Sequence, residues 1–390
     1  MANSEIHYSQ KYPGHREQLP QQYHPHRGNV PEHITKPKTL RKGDMVPYVS
    51  SDVQNFFKYT HHFPSLHSLS HVSQRIWNIL KSYQSMKSQM GGIRSLIFGP
   101  QKGDIRGLRA KYGSHPSQFI TLSNGVNVHL RDEGDSDAPP IVFVHGHSED
   151  LHTWNRLVKQ LIRSFRVIRF DLRRHGLTGP APDNQYRIED YVSDLSMLID
   201  HLGIHSFVLV GHSMGGRISV RYAMGNPERV NGLVLLSASG APRKKEGSPP
   251  MALRLMKNPL GRFLIKRIWS RNMAKSSLQG MVFDESSITD AEVDRMWDFS
   301  IYPGNMDAMF QEYANKWEDF IPAEIRGIAT DTLLIWGKED SICPESMGTW
   351  YDSQLPKSTM VVLPDTGHTP HFECPERCLD EISSWIGTLS

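Results

Sequence analysis

Ser213 lies in Gly211-His212-Ser213-Met214-Gly215-Gly216, directly after the apolar run Phe207-Val208-Leu209-Val210 and before the helix-forming stretch Arg217 to Met224. The pattern G-x-S-x-G in that setting reads as a strand, a sharp turn carrying a serine, and a helix. A serine hydroxyl is a weak nucleophile, so it must stand where a histidine can reach it. The turn strains the serine backbone, and glycines two residues before and after let helix and strand approach closely. The amides of Ser213 and Met214 open the helix, where N–H groups point toward developing negative charge.

An acid and a base follow in the order Ser, Asp, His. Thr332-Leu333-Leu334-Ile335-Trp336 reads as a buried strand, with Gly337-Lys338-Glu339-Asp340 at its end. A carboxylate just past a parallel strand faces the crevice where α/β ligands bind. Asp340 is the candidate for orienting a histidine, and Glu339 is its competitor. Thr359 to Leu363 is a further short strand, ending in Pro364-Asp365-Thr366-Gly367-His368. His368, on a glycine-containing loop, can swing over Ser213. An ordinary imidazole pKa near 6.5 suits a general base around neutrality. His371, three residues on, is the alternative.

The elements that must position these residues follow from periodicity. Phe119 to Leu122 and Val126 to Leu130 flank Asn124-Gly125, a hairpin signal. Then come a strand at 140–145, a helix near 152–163, a strand at 166–171, a helix near 188–202, a strand at 206–210, the helix after Ser213, and a strand at 230–237. Such alternation predicts an α/β fold with a mostly parallel twisted sheet covered by helices on both faces. From 240 to about 320 the pattern becomes Met- and Trp-rich helical segments. A final stretch from about 330 to 390 completes the sheet, with a helix starting near Pro375.

These motifs together resemble the α/β-hydrolase superfamily, in its esterase/lipase branch, over about residues 115 to 390. Ile141-Val142-Phe143-Val144-His145-Gly146-His147 is similar to the family's strand and His-Gly oxyanion loop. That match implies the amides of His147 and Met214 as the oxyanion hole. Asp171-Leu172-Arg173-Arg174-His175-Gly176 resembles the family's D-x-R-G-H-G segment, with Arg174 where glycine is usual. The resemblance implies Ser213, Asp340 and His368 as a catalytic triad. The insertion at 240–320 resembles the family's cap, or lid. Methionines adapt to irregular apolar shapes, which points to an apolar acyl or alcohol group, although most of these side chains must also pack the cap itself. Related dehalogenases and epoxide hydrolases carry aspartate at the position of Ser213.

The implied activity is carboxylic ester hydrolysis through an acyl-enzyme, with no metal or organic cofactor. One alternative is C–C bond hydrolysis of diketone-like ring-fission products by the same triad. Thr369-Pro370 after His368, where those enzymes usually carry an aromatic residue, disfavours it. Another is a non-catalytic binding or scaffold protein on the same fold.

Composition sets bounds. An apolar fraction of 38% and 8 Trp in 390 residues can support a sizeable core. A net charge of +3 is too small to argue for nucleic acid. Cys343, Cys374 and Cys378 show no zinc spacing and read as reduced thiols. No run approaches the roughly 18–20 apolar residues of a membrane span, and the first 20 residues hold no signal-peptide core, so a cytoplasmic location is expected. Residues 1–115 form an N-terminal extension. To about residue 60 it is rich in His, Pro and Gln, without the spacing of a metal site. Residues 72–98 carry apolar positions at near-helical spacing with Arg75, Lys81, Lys87 and Arg94 and no acid between them. That segment reads either as a basic amphipathic helix for a membrane or protein partner, or as a helix covering the catalytic domain. Residues 99–117 read as a polar connector.

Overall fold

The computed structural model describes residues 103–242, 256–315 and 317–389. The expected helix at 72–98 therefore lies outside the described residues.

Eight strands form one sheet in the order β1-β2-β4-β3-β5-β6-β7-β8. β1 (Ser117–Thr121) and β2 (Asn127–Glu133) are the hairpin around Asn124-Gly125. β2 also pairs antiparallel with β4 (Arg166–Phe170). The remaining strands, β3 (Pro140–Val144), β5 (Phe207–His212), β6 (Val230–Leu236), β7 (Thr332–Gly337) and β8 (Ser358–Leu363), pair in parallel, as does β4 with β3. β5 and β7 are buried along their whole length. Such near-continuous burial is what a parallel sheet covered on both faces demands, and it explains their aliphatic runs.

Helices cover the two faces. On one lie α3 (Ile188–His201) and α4 (Met214–Gly225), whose Leu195, Leu198, Ile218 and Tyr222 pack with Leu209, Leu235 and Trp336. On the other lie α2 (Asn155–Leu161) and α12 (Pro375–Ile386), whose Leu157, Val158 and Ile382 pack with Phe143, Val210 and Ile335. The segment between β6 and β7 carries α5 (Pro259–Ile268), α6 (Arg271–Gln279), α7 (Asp290–Ser300), α8 (Asn305–Glu312) and α9 (Pro322–Arg326). Two short elements complete the chain: α10 (Glu345–Gln354) between β7 and β8, and α11 (Pro370–Glu373) before α12. No helix among the described residues is long and apolar enough to cross a membrane.

One expectation is corrected. The stretch read as a polar connector contains a helix, α1 (Ile105–Tyr112), capped by the Asp104 carboxylate. Its one buried residue, Leu108, packs with Leu177, Phe299 and Tyr302, and Lys111 pairs with Asp298 at 2.8 Å. A single apolar anchor on an eight-residue helix leaves little periodic signal in the sequence.

Candidate active site

Ser213 sits between β5 and α4 with φ 49° and ψ −113°. A non-glycine residue there is strained by about 1–3 kcal/mol and needs surrounding structure to hold it. Its amide donates to the Leu236 carbonyl at 3.0 Å, and its own carbonyl accepts from the Ser239 amide at 3.0 Å. Gly215 makes the turn sterically possible: a Cβ there would lie 2.1 Å from the Val144 carbonyl oxygen.

His368 Nε2 lies 2.9 Å from the Ser213 hydroxyl. Its Nδ1 lies 2.9 Å from Asp340 Oδ2. Asp340 is buried, and its other oxygen accepts from the amides of Ile342 and Cys343 at 2.9 and 2.8 Å. A carboxylate in that position accepts a proton donated by Nδ1. The Nε2 lone pair is then left to accept from the serine hydroxyl. Burial lowers the His368 pKa against the raising hydrogen bond to Asp340, and the neighbouring His212 lowers it further. The ring therefore stays neutral, and basic, below the ordinary imidazole range.

The competitors take other places. Glu339 turns away and accepts from the Thr366 amide at 2.9 Å. His371 is fully buried beside Thr153, 2.9 Å from its hydroxyl, and burial with the nearby His212 pushes its pKa down to about 4.

His147 and Met214 line the same cavity as Ser213. Gly146 packs so close to the serine that a Cβ on it would stand 3.1 Å from the Ser213 Cβ. The turn carrying the His147 amide is thus held against Ser213, and the Met214 amide opens α4 beside it.

Two residues that the sequence reading left out tie these parts together. Glu149 Oε2 accepts from the Gly146 amide at 2.6 Å and contacts His212 Nδ1 at 2.7 Å. His212 Nε2 lies 2.8 Å from the main-chain carbonyl of His368. A carbonyl only accepts, so Nε2 carries a proton. Burial would lower the His212 pKa, but the Glu149 carboxylate outweighs it and raises it. Both ring nitrogens of His212 thus face acceptors, and the residue joins the Gly146 turn, the serine turn and the histidine loop. Glu149, His212 and His371 are also the one metal-like cluster among the described residues, their ligand atoms lying within 4.8 Å of one another. Within that cluster His212 and Glu149 are in hydrogen-bond contact at 2.7 Å.

Arg174 adopts φ 64°, the conformation a glycine takes freely. Its side chain accounts for the residue: Nε donates to Glu312 of α8 at 2.7 Å, and Tyr191 also donates to Glu312. His147 Nε2 lies 3.2 Å from the same carboxylate. The insertion also reaches the histidine loop, where the His368 amide donates to the Met281 carbonyl at 2.7 Å.

Two cavities meet at His147 and Tyr313. One, about 390 Å³, is lined by Ser213, Met214, Arg217, Trp317 and Met347. The other, about 370 Å³, lies beneath the insertion and is lined by Ile265, Trp269, Met273, Met296, Phe299 and Met309.

Residues 139–375 match the sequence profile of the family described as alpha/beta hydrolase fold. A 2-hydroxy-6-oxononadienedioate/2-hydroxy-6-oxononatrienedioate hydrolase from Paraburkholderia xenovorans is 28% identical over 273 residues, which span 67% of this chain and 92% of that protein. A thermophilic esterase from Thermogutta terrifontis superposes with a TM-score of 0.58 at 26% identity, covering 70% of this chain and 98% of that one. A meta-cleavage product hydrolase from Pseudomonas fluorescens superposes with a TM-score of 0.60 at 21% identity, covering 70% and 98%. With the sheet order, the strained serine turn and the profile match over more than half its length, the chain belongs to the α/β-hydrolase family.

Proposed function

We propose that this hydrolase cleaves a carboxylic ester whose acyl or alcohol group is apolar. The observation that carries the reading is the unbroken relay Ser213–His368–Asp340, both links at 2.9 Å, beside cavities to which Met214, Trp317, Ile265, Trp269, Met296 and Met309 contribute apolar wall. His368 takes the serine proton as Ser213 Oγ attacks the carbonyl carbon. The amides of His147 and Met214 hold the oxyanion, each such donor being worth about 3 kcal/mol. His368 then protonates the leaving alcohol, and an acyl-enzyme remains. Water, deprotonated by His368, attacks the acyl carbon and releases the acid and the serine. Asp340 holds the imidazole in the required tautomer throughout.

C–C bond hydrolysis is the second reading, and relatives named as hydrolases of a 2-hydroxy-6-oxo-dienedioate and of 2-hydroxymuconate semialdehyde favour it. The charge of the cavity under the insertion favours the ester. The named substrate of the Paraburkholderia relative is a dioate, with two carboxylates. Here the Arg174 guanidinium is already neutralised by Glu312, and the rest of the wall adds the carboxylates of Glu149 and Asp150 to methionine, aromatic and small polar side chains. A dianion entering that cavity would lose hydration without gaining an unpaired cation.

A p-nitrophenyl ester series from acetate to palmitate, run beside a dienol ring-fission substrate, tests the choice. The account expects ester turnover with an optimum at medium or long acyl chains, and dienol cleavage slower by about 10²-fold or more, as an unpaired carboxylate in an apolar pocket implies. Efficient dienol cleavage with negligible ester turnover would replace this reading by the C–C one.

A further inference from the structure

α5 is apolar both on the side it buries and on an adjoining side that it exposes. Its inner side buries Gly261 and Ile265, and Ile265 lines the cavity under the insertion together with Trp269 and Met273. Its outer side presents Leu260, Phe263, Leu264 and Ile268, which are 65%, 50%, 40% and 49% exposed. Their spacing of three and four residues places them on one helical stripe. Closing a cavity requires only one apolar face, so the outer stripe has no role in that task.

The charge around the stripe is one-sided. From 257 to 275 the chain holds Lys257, Arg262, Lys266, Arg267, Arg271 and Lys275 and no acidic residue. The acids that face this stretch come from the neighbouring helices of the insertion. Asp307 pairs with Lys266 at 2.6 Å, and Asp290 and Asp294 pair with Arg271 at 2.8 and 2.5 Å. Lys266 and Arg271 are thus paired, while Lys257 and Lys275 stand exposed at the two ends of the stretch. The Arg267 guanidinium lies over the Phe263 ring at 4.2 Å, which sets a positive charge against the stripe. Protruding aliphatic and aromatic side chains with a basic fringe complement a bilayer that presents anionic headgroups over acyl chains.

We propose that the outer face of α5 docks on an anionic phospholipid surface, and that the protein draws its ester from that surface into the cavity that the same helix lines. The second half rests on the ester reading above; the docking does not. Both surfaces belong to one helix about 10 Å across, so the separation is short.

The test uses the full chain carrying Ser213→Ala, so that binding is read without turnover, and vesicles of phosphatidylcholine alone or equimolar with phosphatidylglycerol. Co-sedimentation with the mixed vesicles is expected, weaker with phosphatidylcholine alone and reduced by salt. Combining Leu260→Ser, Phe263→Ser and Ile268→Ser should lower the partition coefficient by roughly two orders of magnitude. With Ser213 restored, the same triple change should leave hydrolysis of soluble p-nitrophenyl butyrate within about twofold, as exposed positions away from the site predict. Leu260→Ser alone, at the most exposed position of the stripe, gives a smaller loss in the same direction and does not depend on the triple variant folding. Unchanged partition in these variants would overturn the proposal. So would wild-type protein that ignores vesicles and instead self-associates through these residues in sedimentation velocity. Vesicle binding of the expected pattern in a protein that hydrolyses no ester would leave the docking standing and remove the ester reading.

Discussion

At the scale of single residues, the serine, the histidine and the aspartate were legible because each follows a recognisable strand, and each alternative was separated by direction rather than by type. Asp340 and Glu339 are adjacent carboxylates. Only Asp340 reaches His368, while Glu339 caps the Thr366 amide. Glu149 and His212 were not legible. Their partners are a main-chain amide three residues away and a main-chain carbonyl 156 residues away, and no local pattern encodes such contacts. Their pairing bears on pH dependence. His368 must be deprotonated to act, so activity rises with pH through its pKa. Burial and the neighbouring His212 both lower that pKa, which places the acid limb of kcat/KM below the ordinary value of about 6.5. The charged and titratable groups facing His212 are Glu149, His371, His368 and Asp340. His212→Gln removes that neighbouring ring, so the limb should move to higher pH. A limb that stays in place would show that His212 is not charged in the active protein.

At the scale of elements, period and turn chemistry identified the sheet. The Asn124-Gly125 hairpin and the buried aliphatic runs of β3, β5, β6 and β7 needed no tertiary information. α1 escaped because one buried leucine does not make a periodic signal, and α10 escaped because Gly348 and Thr349 dilute its helical pattern. Arg174 could not be understood from its own segment, since the partner that accounts for it sits on α8, far along the chain. α4 packs closely against β3, where a Cβ on Gly215 would stand 2.1 Å from the Val144 carbonyl oxygen. Gly215→Ala places a methyl group into that contact and pushes the start of α4, with the Met214 amide, off the oxyanion position. A displacement near 1 Å is expected to lower kcat by about 10²-fold with a smaller change in KM. Unimpaired turnover in a folded Gly215→Ala protein would show that the Met214 amide is not an oxyanion donor.

At the scale of the whole molecule, the chain places a relay on the sheet and a helical insertion above it, joined at Arg174–Glu312, at Arg295–Asp150 (3.0 Å) and at the His368 amide. α1 adds a further strut, because Leu108 touches both the Arg174–Gly179 turn region through Leu177 and the insertion through Phe299. A chain beginning at residue 113 should therefore unfold at lower temperature than one beginning at 103, by the loss of one buried leucine and the Lys111–Asp298 pair, about 2–4 kcal/mol. Equal melting temperatures would show that α1 does not brace the insertion. Substrate identity was the least legible property at this scale. It depends on which side chains of four or five separate helices converge on a cavity, and sequence gives their types but not their convergence.

The measurement that bears most directly on the central claim is covalent trapping of the nucleophile. An alkyl p-nitrophenyl phosphonate should add once to the folded wild-type protein, with the mass increase mapping to Ser213, p-nitrophenol released in equal amount and ester turnover lost in step. Ser213→Ala should take up none. A folded wild-type protein that remains unlabelled, or labels equally with Ser213→Ala, would contradict a serine-based mechanism and leave the fold as a binding scaffold.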